Sequence, residues 1–126
     1  LDSRLGHGNY GEVFSATNSE RGTREAIKII TKGSIKQCKH ATALYREVEM
    51  HRRLDHEHVV KFLGVMHGAM HMFIRMEEAS EANLFKVLST SGPLAMGCAN
   101  RFQAQVSQAI AYCHSQGVAH RDVKPE

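Results

Sequence analysis

Cysteine is scarce in this chain: Cys38, Cys98 and Cys113 form an odd set at wide spacings. That excludes a disulfide framework and a CxxC metal knuckle, and it favours a reducing compartment. Long apolar runs are missing too. No stretch approaches the ~20 residues that cross a bilayer, and the first residues lack the pattern of a signal peptide. The chain therefore reads as intracellular, with the cytoplasm as the expected location and no membrane partner. Blocks of like charge are also absent, none being longer than Arg52-Arg53 or Glu77-Glu78. Sixteen basic and thirteen acidic residues give a formal net charge of +3. So mild and scattered an excess suits a protein that handles anionic ligands and argues against nucleic acid. No internal repeat or low-complexity segment is visible.

What remains is an ordinary globular composition, 42% hydrophobic and 23% charged over 126 residues, enough for one modest core. Nine histidines are the one excess. His56 and His58 flank Glu57, and His67 and His71 lie four apart. On a helix the second pair would suit zinc. Gly68 interrupts that segment, however, and the residues beyond it alternate as in a strand. Loop and surface histidines are expected, with no metal site.

The first third has the pattern of strands. Residues 1–5 lead into a glycine cluster, 10–17 continue as a strand, and 18–22 have turn chemistry. Residues 23–31, rich in isoleucine, form a further strand. On it Ala26, Lys28 and Ile30 share one face, and Ile27 and Ile29 the other. A lysine on an apolar face wants a negative partner. Over 41–54 the period turns helical, with Leu44, Val48 and His51 on one stripe and Leu54 near its edge. Glu47 lies within that stripe and also wants a partner, because a lone buried carboxylate is costly. Residues 59–65 and 70–76 predict two more strands, joined around His67-Gly68-Ala69. Residues 77–82 are short and polar and read as a connector. Asn83 is placed to cap a short helix carrying Leu84, Val87 and Leu88. After a loop at Ser91-Gly92-Pro93, a long helix spans about 97–116. Its stripe is Phe102, Val106, Ala109, Ile110 and Cys113, and Gly117 is placed to end it. The expected fold class is α+β.

Four pieces carry chemistry. In Gly6-His7-Gly8-Asn9-Tyr10-Gly11 the missing side chains let backbone N–H groups approach phosphate oxygens. A dinucleotide-binding fold would start a helix here, but residues 12–17 continue as a strand. An ordinary glycine-rich hairpin remains the alternative on this motif alone. In Glu25-Ala26-Ile27-Lys28 a small residue and a lysine share a face, which suits a nucleotide lying along the strand. The alternative there is an exposed strand lysine. Glu47 shifts the balance by offering that lysine a carboxylate. Glu49 is its rival, but it points about 200° around the helix, away from the apolar stripe. The last piece is His120-Arg121-Asp122-Val123-Lys124-Pro125-Glu126.

In this order the four pieces resemble the catalytic domain of serine/threonine protein kinases, over essentially the whole chain. The resemblance implies a five-stranded antiparallel N-lobe sheet with one main helix over 1–76. A hinge at 77–82 follows, then the first helices of a helical C-lobe over 83–126. It implies ATP as ligand, with a hairpin from Gly6 to Gly11, including His7, Gly8, Asn9 and Tyr10, covering the phosphates. Leu5, Val13 and Ala26 would roof the adenine, and Met76 would stand behind it as gatekeeper. Backbone groups of Glu77 and Ala79 would bind the base, and Asn83 matches a position where many kinases place a ribose-binding acid. Lys28, paired with Glu47, would hold the α/β-phosphates. Asp122 would accept or orient the substrate hydroxyl, and Lys124 would contact the transferred phosphate. The expected partner is a protein bearing serine or threonine.

A complete domain of that family runs to roughly twice this length. The asparagine and D-F-G aspartate that hold Mg²⁺ in the family are expected downstream of residue 126. Phosphoryl transfer by residues 1–126 alone is therefore expected to be negligible. The stripe Phe102–Val106–Ile110, if left exposed, would be sticky. Two other readings compete. A catalytically inactive kinase-like nucleotide-binding or scaffold module is opposed by the presence of Lys28, Glu47 and Asp122. A dinucleotide-binding module is opposed by the strand after Gly11.

Overall fold

β-Branched side chains pack well on a pleated surface, and the isoleucine-rich segment forms the middle of a sheet. The computed structural model describes residues 1–8, 11–35, 38–79 and 83–125. They fall into two compact units, Leu1–Leu54 with Val60–Ala79, and Asp55–Val59 with Ser80–Glu126. The first unit holds five strands: β1 (Arg4–Gly8), β2 (Gly11–Thr17), β3 (Arg24–Thr31), β4 (Phe62–His67) and β5 (His71–Glu77). They form one antiparallel sheet in the order β1-β2-β3-β5-β4. The main helix, α1, spans Cys38–Arg52.

The register decides which side chains share a face. Val13 lies opposite Lys28 and Ser15 opposite Ala26 across β2 and β3. Across β3 and β5, Ala26 faces Met76 and Lys28 faces Ile74. Directly opposed residues project to the same side, so Ala26, Lys28 and Ile30 share a face with these neighbours. Helix α1 packs on that face. Ile30, Leu44 and Ile74, each at most 3% exposed, form its core, flanked by Val48, Phe62 and Val65. Burying such side chains contributes about 1.5–3 kcal/mol each. His51 completes the stripe: its ring meets Phe62 edge-on, and its Nε2–H donates to the Val60 carbonyl at 2.7 Å.

Some boundaries differ from the pattern-based expectation. β1 runs through the glycines instead of stopping at Leu5, because Gly8 still pairs with Gly11 in the hairpin ladder. β4 begins at Phe62 rather than at 59, since the Val59 N–H turns back to the His56 carbonyl at 3.0 Å. Glu77 is the last residue of β5, paired with Glu25, so the connector starts one residue later. His67 and His71 stand on neighbouring strands, either side of a turn closed by Gly68 N–H donating to the His71 carbonyl at 2.9 Å.

In the second unit, α2 (Leu84–Ser91) starts at Asn83, whose Oδ1 accepts the Lys86 N–H at 2.8 Å. Helix α3 (Met96–Ser115) ends where Gly117 adopts φ +72°. Gly117 N–H bonds the His114 carbonyl and Val118 N–H the Cys113 carbonyl, the paired helix-ending bonds that a left-handed glycine permits. Cys113 is buried, whereas Phe102 and Val106 of the same stripe are 38% and 47% exposed. Tyr112 on α3 stacks on His56, and its hydroxyl accepts the Asp55 N–H at 2.9 Å. Among the described residues no helix is long and apolar enough to cross a membrane.

Candidate functional site

The sheet face that carries α1 also carries the candidate nucleotide-binding residues. β3 projects Lys28 toward α1, and its Nζ lies 2.7 Å from Glu47 Oε1. The lysine side chain is 13% exposed and the glutamate 47%. The stem of Lys28 is thus covered while its charged end meets a carboxylate at the rim of the helix. Glu49 faces elsewhere and pairs with Arg52 on its own helix at 3.5 Å.

Two glycines of the hairpin differ in what requires them. A Cβ at Gly11 would collide with the Ile29 carbonyl, so the closeness of β3 demands glycine there. A Cβ at Gly6 would meet nothing within 4 Å. Gly6 pairs with Val13 on the Lys28 face, so the room it leaves is open to another molecule. His7 pairs with Glu12 and projects to the opposite face, leaving only its backbone on this side. Leu5 sits at an irregularity of the β1–β2 ladder and is 37% exposed. Gly8 ends β1, while Asn9 and Tyr10 lie outside the described residues.

Toward the end of β5, Ala26 is buried between Ser15 and Met76. Met76 also packs against the α1 core. Glu77 is fixed to β4's approach by two bonds. Its N–H donates to the Lys61 carbonyl at 2.8 Å, and its Oε2 accepts the Lys61 N–H at 3.0 Å. Ala79 is exposed. In the second unit Asn83 gives its side-chain oxygen to the cap of α2.

The His120–Pro125 segment has a defined backbone. Arg121 takes a left-handed φ of +65°, uncommon for a non-glycine residue. The Asp122 N–H donates to His120 Nδ1 at 3.2 Å, and Lys124 Nζ lies 3.1 Å from Asp122 Oδ2. The Pro125 carbonyl accepts the Phe85 N–H at 2.8 Å, tying the segment to the first turn of α2. Asp122 and Lys124 are both exposed, and Glu126 lies outside the described residues. Among the described residues no group of three or more His, Cys, Asp or Glu is arranged to hold a metal ion.

Two ion-pair clusters escaped the sequence pattern. On the face opposite Lys28, Glu25 is 4% exposed and takes two hydrogen bonds from Arg75, at 2.7 Å each, and one from Asn18 at 2.8 Å. The Arg75 guanidinium, with Asn18, lowers the Glu25 carboxyl to about 2, and Glu25 in turn raises Arg75. The second cluster joins Ser15, Arg24 and Glu78. Nothing in the sequence pattern marked the first cluster, whose partners are brought together by the β3–β5 register.

The model of the protein kinase domain family matches residues 1–126. A CBL-interacting protein kinase 30 from Oryza sativa subsp. japonica is 36% identical over 126 residues, all of this chain and 26% of that protein. A CBL-interacting serine/threonine-protein kinase 13 from Arabidopsis thaliana is 37% identical over 122 residues, covering 97% of this chain and 24% of that protein. An Aurora kinase from Candida glabrata is 32% identical over 123 residues, covering 98% and 34%. The chain belongs to the protein kinase domain family. It spans 24–34% of the length of these relatives. Its five-stranded antiparallel sheet with helices is consistent with the N-lobe of that α+β fold, and the family implies ATP and Mg²⁺.

Proposed function

We propose that the full-length protein carrying this chain transfers the γ-phosphoryl group of ATP to serine or threonine hydroxyls of a protein substrate in the cytoplasm. The observation that carries the reading is the 2.7 Å pairing of Lys28 with Glu47, on the face where Gly6 leaves open room. An ammonium held by one carboxylate is pre-oriented toward phosphate oxygens without losing its charge. The residues 1–79 supply nucleotide binding: backbone N–H groups around Gly6 to Gly11 approach the phosphates, and Lys28 neutralises them. Leu5, Val13, Ala26 and Met76 surround the base, and backbone groups of Glu77 and Ala79 bind its polar edge. Asn83 stands where a ribose contact is expected in the family.

ATP supplies the transferable phosphoryl group, and the rest is the work of side chains. Asp122 accepts or orients the proton of the incoming hydroxyl, and Lys124 steadies the phosphoryl oxygens in flight. Their mutual contact at 3.1 Å is exposed, so it yields readily to a substrate. The retention of Lys28, Glu47 and Asp122 favours catalysis over a scaffold role. The test is phosphotransfer by the full-length protein with Lys28→Met and Asp122→Asn. Both variants are expected to be inactive, and turnover retained in either overturns the roles.

A further inference from the structure

The start of the connector is held by a second carboxylate that the proposed chemistry does not use. Glu78 Oε2 accepts the Ser15 hydroxyl at 2.6 Å. Its Oε1 accepts Arg24 Nε at 3.1 Å and Arg24 Nη2 at 2.8 Å. Arg24 Nη2 also donates to Ser15 Oγ at 2.9 Å, so the three residues close a ring. Ser15 is fully buried and the Glu78 side chain is 7% exposed. Arg24 and Ser15 hold the Glu78 carboxyl below its ordinary range. The Arg24 side chain is half-exposed, so the ion pair alone gains little, and the grip rests on the covered Glu78 carboxylate and the buried Ser15 hydroxyl. A multidentate, largely covered carboxylate fixes position.

Its place in the sheet gives that fixing a purpose. Ser15, Ala26 and Met76 are successive cross-strand partners, forming the rung nearest the end of β5 on the Lys28 face. The strands are already joined there by their backbone ladder. Glu78 lies beyond the last rung, where the ladder no longer holds the chain. Glu77 is tied toward β4 by Lys61, and Glu78 toward β2 and β3 by Ser15 and Arg24. Two consecutive residues are thus anchored in opposite directions, and the peptide between them cannot slide.

We propose that Glu78, through Ser15 and Arg24, is a positioning residue that sets the backbone groups of 77–79 for selecting the adenine base. The inference rests on the nucleotide-binding reading given above and deepens it. Hydrogen bonds weaken outside a range of about 2.7–3.2 Å, so a small slip of this backbone costs recognition of the base without touching the reacting phosphate.

The test uses steady-state kinetics of the full-length protein with ATP and GTP, and melting temperature, for Glu78→Gln, Arg24→Met and the double variant. Each single variant is expected to raise KM for ATP about fivefold or more and to lower the preference for ATP over GTP, with kcat changed by less than about twofold. The double variant is expected to be no worse than either single one, because both remove the same clamp. Arg24→Lys, which keeps charge but not the two-pronged grip, is expected to fall between wild type and Arg24→Met. Unchanged KM and unchanged base preference in an active, folded Glu78→Gln protein overturn the clamp alone. So does a loss confined to melting temperature, or additive effects in the double variant. A wild-type protein that binds no ATP overturns the underlying reading, and the clamp with it.

Discussion

Arg75 on β5 grips Glu25 on β3 through two parallel hydrogen bonds of 2.7 Å, one from Nε and one from Nη2. The carboxyl has an ordinary value of 4.5 and is lowered to about 2 in the folded chain. A lowered folded value makes the stabilisation complete above pH 4.5 and lost as pH falls through about 2. Glu25→Gln is therefore expected to flatten the acid side of the stability curve, losing at most about 3 kcal/mol near neutrality. Arg75→Met is expected to be worse, because it leaves a covered carboxylate without its counter-charge and, among the described residues, with only the Asn18 amide as a side-chain hydrogen-bond donor, a loss of roughly 3 kcal/mol or more. Denaturant midpoints of the full-length protein between pH 2 and pH 7 check both. An unaltered acid slope in Glu25→Gln contradicts the pairing argument.

The Lys28–Glu47 pair makes two variants unequal. Lys28→Met removes the charge proposed to meet phosphate and is expected to lower phosphotransfer by at least about 10²-fold. Glu47→Gln keeps the ammonium but loosens its aim, so a smaller loss, about tenfold, is expected. Initial rates and thermal melts of the two variants separate chemistry from folding. Equal losses would mean that Glu47 does more than orient the lysine.

Much of this arrangement was legible beforehand, and the reason is periodicity. Alternation along 23–31 placed Ala26, Lys28 and Ile30 together, and the 3.6-residue period placed Glu47 among Leu44 and Val48. The Asn83 cap and the Gly117 stop followed from local chemistry. Glu25–Arg75 and Glu78–Arg24–Ser15 were not legible. They span 50, 54 and 63 residues and depend on strand register, which a single sequence does not fix. The early start expected for β4 failed because Val59 and Val60 are apolar yet belong to a turn and its exit.

Asp122→Asn preserves size and hydrogen bonding but cannot take a proton. Turnover is expected to fall by about 10²- to 10⁴-fold while KM for ATP stays near wild type. Single-turnover kinetics with saturating ATP would read the chemical step directly. A rise in KM without loss of kcat would move Asp122 from the chemistry to ligand binding.

Phe102 and Val106 are exposed on α3 while Cys113 of the same stripe is buried. Residues 1–126 expressed alone are expected to self-associate through that apolar band. Phe102→Ser with Val106→Ser is expected to shift the population toward monomer, as read by light scattering. A monomeric, cooperatively melting wild-type polypeptide refutes this.

Arg121 is bent into a conformation that favours glycine, one residue before the proposed proton acceptor. Such a kink costs about 1–3 kcal/mol, and the surrounding contacts must keep it closed. The direction of the backbone that carries Asp122 is then settled while the polypeptide folds, so little reorganisation of the main chain is left for the moment a hydroxyl arrives. Arg121→Gly would ease the bend and give that direction away, leaving a sturdier loop that aims less well.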